Sequence, residues 1–484
     1  MYLALVCALF ILITGCQPDP TPGYSDNSAS ESGDDSTVSV DSDEKSAASA
    51  DSAEASSETA DSYSATVSSS ASVSSKPNNT GSSSSASSRV LISVVSQATS
   101  GGGLSMFPVT PKYTIQQSAQ KVNNQLTSAM TKIPSVVSQL QDYDPDYNFT
   151  HHPGMAIFKG KLYVSYSKGY AYEDTPGQHA VVTSIDVDKV GTGKWSDPVT
   201  VGPARQLPGG KEAFCINGFL FATDDRLFCY YMDKEYGPDA YDAQGNYITT
   251  KYKHPFPTVA NYGMMTFTTD GVNWSEPMSV GIAANESPRQ SLTGQWFAGS
   301  GNKLIYSNKE KPNGVFWDYV GMTEKQYQAS LNRGALQMLT EASWYQTDDY
   351  IIHQMLRSHD GYVWMSESYD NGKTWTEAYA TKFTSDTTMA NFGRLPDGRI
   401  YFVGNADRSG ERYPLHLYVS EDGYNFSTGY ILRDEPYTVQ NDNWTKYGYY
   451  GYPEVLIEGD YMYVVYSRKK EIMEVTRVKL SDIR

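Results

Sequence analysis

The chain has 484 residues, 55 of them acidic and 38 basic, so its formal net charge at pH 7 is −17. The length allows a large folded domain together with a separate tail. The acidic balance argues against nucleic acid as a partner, because such proteins need a basic face. Much of the acidity is local: residues 17–100 hold twelve Asp or Glu against three Lys or Arg, which leaves −8 for the rest.

Residues 1–16 read MYLALVCALFILITGC, an apolar run too short to span a bilayer as a helix. The run is typical of a signal peptide, although no Lys or Arg precedes it, and its end resembles a lipobox. We therefore expect Cys16 to be acylated and to anchor the protein at the cell surface or in the periplasm. Gln17 after the Cys favours the outer membrane. The alternative is an ordinary signal peptide with an incidental Cys.

Two further regions precede the main domain. Residues 17–103 are dominated by Ser, Ala, Asp and Glu, a composition that predicts a disordered, acidic tether. In residues 104–146, apolar side chains recur at steps of three and four with an interruption at Pro134. That spacing predicts a short helical segment.

Residues 147–484 change to short runs rich in Val, Ile, Tyr and Phe, separated by Gly, Asp and Asn. This alternation predicts an all-β domain, with residues 323–338 as the one helical exception. About 340 residues at roughly 50 per four-stranded blade give a β-propeller of six or seven blades. Seven is favoured.

A repeated turn supports this architecture. Residues 368–375 read SYDNGKTW, and looser copies are TTDGVNW at 268–274, SHDGYVW at 358–364 and SEDGYNF at 420–426. The Asp accepts hydrogen bonds from its own turn, the Gly supplies an unusual backbone conformation, and the aromatic ring pins the turn to neighbouring strands. The repeats resemble those of the Asp-box proteins, the sialidase-like β-propellers. In that family these boxes are structural and carry no catalysis.

Cys215 and Cys229 lie in two apolar runs joined at residues 223–225, a pattern that predicts a β-hairpin. In an oxidising compartment the two thiols form either a cross-strand disulfide or a pair of buried free thiols. No group of Cys and His has the spacing of a zinc site.

The best candidates for chemistry are His151 and His152. The chain has seven His, and three of them lie between residues 151 and 179. A His side chain loses its proton near neutral pH and therefore suits general-base work. The alternative is that the two rings point to opposite sides of a strand, one packed and one solvated.

A second resemblance rests on longer segments: HHPGMAIFKGKLYVSYSKG at residue 151, NESPRQ at residue 285, GRLPDGRIYFVGN at residue 393, and YGYPEVLIEGDYMYVVYSRKKEIMEVTRV near the C-terminus. They are similar to the ulvan-lyase-type propellers of polysaccharide lyase families 24 and 25 and to related rhamnosidase-type propellers. The resemblance implies β-elimination on a uronic-acid-containing, often sulfated polysaccharide. It implies no cofactor, although a structural metal ion stays open, and we expect a monomer.

In those lyases His, Tyr and Arg share the chemistry. His151 or His152 matches the first His, and the Tyr corresponds to Tyr231 or Tyr236. The second His of the family has no counterpart here, and neither does its Arg. Lys253, His254 or Arg289 would then hold the carboxylate. For Arg289 the alternative is an ion pair with Glu286.

Two other functions stay open. One is a glycoside hydrolase on the same scaffold, and the other is a glycan-binding lipoprotein without catalysis. A sialidase would need three Arg, a Tyr–Glu pair and a Phe- or Tyr-Arg-Ile-Pro segment, and that segment does not occur. Residues 447–452, YGYYGY, offer aromatic rings for stacking on sugars, although aromatic packing within the propeller is the favoured explanation.

Overall fold

The computed structural model describes residues 109–127, 129–170, 172–248, 256–307, 317–335, 338–441 and 448–484. Cys16, the predicted signal peptide and the predicted tether lie outside these ranges, as do Lys253 and His254. Among the described residues, no helix is both long and apolar enough to cross a membrane.

The described chain begins with one short helix and three short strands: α1 (Ile115–Lys121), β1 (Asn123–Asn124), β2 (Thr131–Lys132) and β3 (Ser135–Gln139). Thr114 caps α1 in a capping box with Gln117. The prediction that residues 104–146 are helical is wrong beyond α1. The strands after it pair with the edges of three different sheets, and this long-range pairing overrides the local apolar spacing.

The next strands form two antiparallel four-stranded sheets. The first sheet contains β4 (Phe149–Phe158), β5 (Lys161–Gly169), β6 (His179–Asp186) and β7 (Val199–Gly202). A two-stranded ribbon follows, formed by β8 (Gln206–Leu207) and β9 (Lys211–Glu212). The second sheet contains β10 (Phe214–Ala222), β11 (Leu227–Tyr236), β12 (Thr258–Thr268) and β13 (Met278–Ser279).

The third and fourth sheets are separated by the second helix. The third sheet contains β14 (Arg289–Gln290), β15 (Trp296–Ser300), β16 (Lys303–Ser307) and β17 (Asp318–Gly321). Helix α2 (Glu324–Leu331) lies within the predicted helical stretch of residues 323–338, which is confirmed over these residues. The fourth sheet contains β18 (Thr340–Gln346), β19 (Ile352–Arg357), β20 (Tyr362–Ser368) and β21 (Tyr379–Thr384), and β1 extends its edge.

The last two sheets complete the domain. The fifth contains β22 (Asn391–Arg394), β23 (Ile400–Gly404), β24 (Leu415–Ser420) and β26 (Thr428–Arg433), with β2 at its edge, while β25 (Asn425–Phe426) pairs with β1. The sixth contains β27 (Tyr450–Glu458), β28 (Tyr461–Arg468) and β29 (Ile472–Lys479), and β3 supplies its fourth strand. Three 3₁₀ turns lie at Val187–Lys189, Pro238–Ala240 and Leu480–Asp482.

The sheets follow one another in a ring. The first strand of a sheet contacts the first strand of its neighbour, as in β4 with β10, β18 with β22 and β22 with β27, and the third sheet contacts the fourth through β15 and β18. Contacts between β27 and β4 close the ring. The expected β-propeller arrangement is therefore confirmed, but the count of seven blades is not, since the described strands form six sheets of four or more strands. Long connections between sheets, such as residues 203–213, leave fewer residues for strands than an average blade size assumes.

The hydrophobic core lies between neighbouring sheets. One cluster joins the sixth and first sheets through Tyr463, Val465, Leu162 and Val164, all buried. The predicted hairpin of β10 and β11 is also present, and Cys215 and Cys229 are buried free thiols in it. Their partners across the ladder are Asp233 and Leu220, so the two thiols do not face each other and the disulfide alternative is wrong.

The repeated turns have the predicted geometry. Asp370 Oδ1 accepts a hydrogen bond from the backbone N–H of Thr374 at 2.8 Å, and Gly372 has a φ of 89°. Trp375 is buried in the core between the third and fourth sheets. These turns position strands and lie apart from the cavity described next.

Candidate active site

A cavity lies where the six sheets converge, and it opens to solvent. Each sheet contributes a side chain from its first strand or from the loop before it: His152, Asn217, Asn285, Glu341, Met389 and Tyr452. Propellers bind ligands where loops converge around the axis, so this cavity is the candidate site.

The backbone around this cavity departs from regular β geometry. The ladders of β4, β10, β18 and β27 each contain a bulge at the residues that reach the cavity. Ten described non-glycine residues have a positive φ, and six of these lie in or beside the cavity: His152, Asp174, Glu341, Arg412, Tyr452 and Lys470. Bulges and positive φ values redirect side chains, and such conformations concentrate at functional sites.

The two adjacent histidines have different surroundings. His151 is completely buried, and its Nδ1 lies 2.7 Å from Ser467 Oγ. The His152 side chain is 13% exposed and lines the cavity, with Nδ1 3.2 Å from Ser167 Oγ. His152 is therefore the ring that a ligand in the cavity can touch.

Glu173 connects both rings to a buried lysine. Its Oε1 lies 3.1 Å from His152 Nε2 and 3.9 Å from His151 Nε2, while its Oε2 accepts a hydrogen bond from Lys470 Nζ at 2.5 Å. Burial alone would raise the pKa of the Glu173 carboxyl, but the Lys470 ammonium and the His152 ring together hold this pKa well below its usual range. Burial also lowers the pKa of His151 well below its usual range, so that ring is neutral.

A tyrosine–carboxylate pair lies beside this cluster in the cavity wall. The Tyr452 hydroxyl donates a short hydrogen bond to Glu341 Oε1 and accepts one from Arg357 Nη1 at 3.2 Å. Arg357 also pairs with Glu341 Oε2 at 2.8 Å. The Arg412 guanidinium lies 5.8 Å from the centre of the Tyr452 ring. Tyr452 also packs on His151, with ring centroids 4.2 Å apart, so the two groups form one continuous wall.

Asp174 is a second carboxylate that lines the cavity. It is 8% exposed, and its Oδ1 has no hydrogen-bond partner among the described residues. Its backbone is fixed on both sides: the N–H donates to Gln178 Oε1, and the carbonyl accepts from the Tyr236 hydroxyl, both at 3.0 Å. A fixed backbone with a free carboxylate oxygen suits an acid or base that acts on a ligand.

The structure does not bring the tyrosines predicted from β11 to the cavity. Tyr231 is buried among apolar side chains between the first and second sheets. Tyr236 stacks on Phe214, and its hydroxyl donates a hydrogen bond to the Asp174 carbonyl. Burial raises the pKa of both phenols. The cavity phenol comes instead from Tyr452 at the opposite end of the chain.

Arg289 also lies away from the cavity. It forms an ion pair with Glu286, which was the alternative to binding the substrate carboxylate. Its Nη1 and Nη2 each lie 3.2 Å from the Glu286 carboxylate. Asn391 Nδ2 then donates to Glu286 at 3.3 Å and to Glu454 at 3.2 Å. Glu286, Asn391 and Glu454 follow the cavity residues Asn285, Met389 and Tyr452 by one or two positions, and all three are buried.

Sequence reasoning missed Tyr452, Glu341, Arg357, Lys470 and Asp174 as site residues. One local signal was available, because His152-Pro153 and Tyr452-Pro453 repeat the same position at the start of β4 and β27. Glu341 and Arg357 had no such signal, since their pairing depends on the bulge in β18.

Comparison with known proteins places the chain in a family. Residues 170–464 match the model of the BNR repeat-like domain, whereas no curated protein matches the sequence. Among solved structures, it is similar to a sialidase (16% identity, TM-score 0.50), covering 74% of this chain and 35% of that one. It is also similar to a protein of unknown function from Dyadobacter fermentans (16% identity, TM-score 0.50), covering 73% of this chain and 100% of the other.

A variant of NanB sialidase from Streptococcus pneumoniae is 12% identical, with a TM-score of 0.49 and coverage of 74% and 72% of the two chains. The chain thus spans about a third of the first sialidase and the full length of the Dyadobacter protein. At these identities the likeness concerns the fold alone. Because the family model covers more than half of the sequence, the chain belongs to the family of BNR repeat-like domains.

Proposed function

We propose that this protein cleaves a glycosidic bond at the end of an acidic glycan, with Tyr452 as the nucleophile. The observation that carries the proposal is the hydrogen bond from the Tyr452 hydroxyl to Glu341 inside the cavity. A phenol is a weak nucleophile until a neighbouring base accepts its proton, and Glu341 occupies the position of such a base. Sialidases are glycosidases that use a tyrosine in this way.

The reaction proceeds in two steps. Tyr452 Oη attacks the anomeric carbon while its proton moves to Glu341, and the bond to the leaving oxygen breaks as Asp174 protonates that oxygen. Water then attacks the tyrosyl–sugar bond, with Asp174 accepting a proton from the water and Tyr452 leaving as a phenol reprotonated by Glu341. The positive charge of Arg357 at the Tyr452 hydroxyl stabilises the phenolate as it forms.

The charges around the cavity indicate the substrate class. Arg357 and Arg412 both lie beside Tyr452, and Arg412 Nη1 is buried with no hydrogen-bond partner among the described residues. Guanidinium groups bind carboxylates through paired hydrogen bonds, so we infer a sugar that carries a carboxylate. Glu286, Asn391 and Glu454, which directly follow cavity residues, are buried and hydrogen-bonded to one another, so we infer that the cavity is closed on that side and takes a chain end rather than the middle of a polymer.

Elimination on a uronate is the second candidate. His152 and Tyr452 face the same cavity with ring centroids 5.4 Å apart, so an imidazole and a phenol are available as base and acid. This function ranks second because both nitrogens of His152 already have partners, Ser167 and Glu173. The resemblance to ulvan-lyase-type propellers supports it and names the expected polysaccharide.

The test is to incubate the full chain with acidic glycans, including sialosides, oligosaccharides ending in a uronic acid, and ulvan. Hydrolysis releases reducing sugar without ultraviolet absorbance, whereas elimination creates an unsaturated uronate that absorbs. We expect the first result, with kcat lowered at least about 10³-fold in Tyr452→Phe. Glu341→Gln and Asp174→Asn should also be slow. Ultraviolet absorbance would favour elimination, and binding without either product would indicate a glycan-binding protein.

We also propose that the protein is attached to the outer membrane through acylated Cys16 and acts there as a monomer. The lipobox-like ITGC sequence supports the attachment. Labelling of the expressed chain with a radioactive fatty acid, lost in Cys16→Ser, tests it. Unlabelled wild-type protein released in soluble form would refute the anchor.

A further inference from the structure

We propose that His151, His152 and Glu173 form a binding site for a zinc ion beside the cavity. One ligand atom from each residue lies within 4.8 Å of the other two, and Glu173 Oε1 is 3.1 and 3.9 Å from the two Nε2 atoms. Two atoms bound at about 2.1 Å to a tetrahedral zinc lie roughly 3.4 Å apart. The two distances from Glu173 bracket that value, so a contraction of the cluster would complete the site.

The unpaired nitrogen of His151 is an independent observation that points to a ligand. His151 Nε2 is buried, and it has no hydrogen-bond partner among the described residues. Ser467 Oγ lies 2.7 Å from His151 Nδ1 and 3.3 Å from the Gly451 carbonyl, to which it can donate its own proton, and we infer that Nδ1 carries the ring proton. Nε2 therefore presents a lone pair towards the Glu173 carboxylate. Two buried acceptors that face each other repel unless a cation lies between them.

The surrounding contacts fit a metal site as well. The Nδ1 atoms of His151 and His152 lie next to the hydroxyls of Ser467 and Ser167, which orient both rings as outer contacts of metal ligands do. Lys470 pairs with Glu173 Oε2, whereas Oε1 faces the two imidazole rings, where a metal ion would replace its contact with His152. Two His and one Glu are the ligand set of catalytic zinc sites, in which a fourth position stays open.

The open position would face the cavity, because His152 and Glu173 line it. It would accept a water molecule or an anionic oxygen of a bound sugar. The Lys470 ammonium lies on the same carboxylate and repels a second cation, so it weakens zinc binding. Because of this repulsion, removing the charge of Lys470 tests whether zinc binds beside Glu173.

The experiment is a calorimetric titration of the full chain with zinc after dialysis against a chelator. We expect one equivalent of Zn²⁺ to bind, and no measurable binding of Mg²⁺. His151→Ala and His152→Ala should each weaken binding at least about 100-fold, and Ser467→Ala roughly 10-fold. Lys470→Met should tighten it about 10-fold or more, because a like charge is removed.

Two variants serve as controls. His359→Gln changes a histidine in the turn before β20, away from the cluster, and Tyr452→Phe keeps the ring that packs on His151. Both should bind zinc as the wild type does. Tyr452→Phe should at the same time lose turnover, so failure of the zinc site and failure of the proposed chemistry are separate results.

Absence of stoichiometric zinc binding in the wild type would overturn the proposal, and so would unchanged affinity in a folded His151→Ala protein. If that variant does not fold, His151→Asn keeps a polar side chain of similar size on the same strand. Wild-type affinity in His151→Asn would overturn the proposal equally.

Discussion

Replacing Lys470 by Met tests the electrostatic arrangement of the site. The ammonium and the Glu173 carboxylate lie 2.5 Å apart, with side chains 7% and 3% exposed. Methionine keeps most of the aliphatic length and removes the charge. Glu173 then has no ammonium beside it in a buried position, so we expect the variant to fold less stably in metal-free buffer at pH 7.

The size of the effect follows from the geometry. Two unit charges 2.5 Å apart attract by about 7 kcal/mol at an effective dielectric constant of about 20, and the cost of burying them offsets part of this. Removing one partner of a buried pair typically destabilises a protein by about 3–5 kcal/mol. For about 370 folded residues the unfolding entropy is about 0.8 kcal/mol per kelvin, so the melting temperature should fall by roughly 5 °C.

Calorimetry in the presence of chelator measures this shift, and Lys161→Met is the matched control. Lys161 and Asp186 lie 2.6 Å apart but are about half exposed, so solvent screens them and the melting temperature should hardly change. Glu173→Gln combined with Lys470→Met should recover much of the loss. Equal shifts in the two lysine variants would refute the reasoning.

The same pair predicts a pH dependence. The folded-state pKa of Glu173 lies well below its unfolded value, so its contribution is present above about pH 4.5 and is lost as the pH falls through the folded pKa. The difference in melting temperature between wild type and Lys470→Met should therefore persist at pH 5 and shrink in stronger acid. A difference in melting temperature that vanishes between pH 7 and 5 would contradict this assignment of the Glu173 charge.

Three further outcomes are expected. Burial, followed by the Glu286 charge, raises the pKa of Glu454 to about 8. The free energy of unfolding should therefore decline as the pH rises from about 4.5 to 8. Calorimetry should show a weaker dependence of the melting temperature on pH for Glu454→Gln. Trp375→Ala should cost about 3–5 kcal/mol in unfolding free energy, measured from melting curves, while the activity of the folded fraction stays unchanged. Tyr231→Phe should leave kcat within about twofold of wild type, because its phenol lies in the core; a large loss would restore Tyr231 to the site.

The propeller was predictable from sequence because its signals are local. Each Asp-box turn sets its own geometry within eight residues, as Asp370 and Trp375 illustrate, and strand composition marks most of the strands. The helical prediction failed after Val122 for the converse reason. Val136 and Val137, for example, form a strand because they pair with β29, more than 300 residues away. The local spacing of apolar residues gives no information about that partner.

The site was predictable only in part for the same physical reason. His151 and His152 stand out as a rare pair of adjacent histidines, yet nothing local distinguishes the buried ring from the one that faces the cavity. Tyr452 was recognised as part of an aromatic cluster but not as the cavity phenol, because Glu341 approaches it from the fourth sheet. The bulges that direct the side chains of Tyr452 and Glu341 inward arise from strand pairing, and the amino-acid composition does not indicate them.

The site also depends on how the ring closes. The Thr150 N–H donates to the Lys470 carbonyl at 2.8 Å, and the contacts of His151 with Ser467 and of Glu173 with Lys470 cross the same junction between the first and sixth sheets. Strand β3 holds β29 in the sixth sheet from the N-terminal side of the chain. An open ring would lack the imidazole–carboxylate–ammonium cluster even with every sheet formed. Closure of the propeller and assembly of the site are therefore the same structural event.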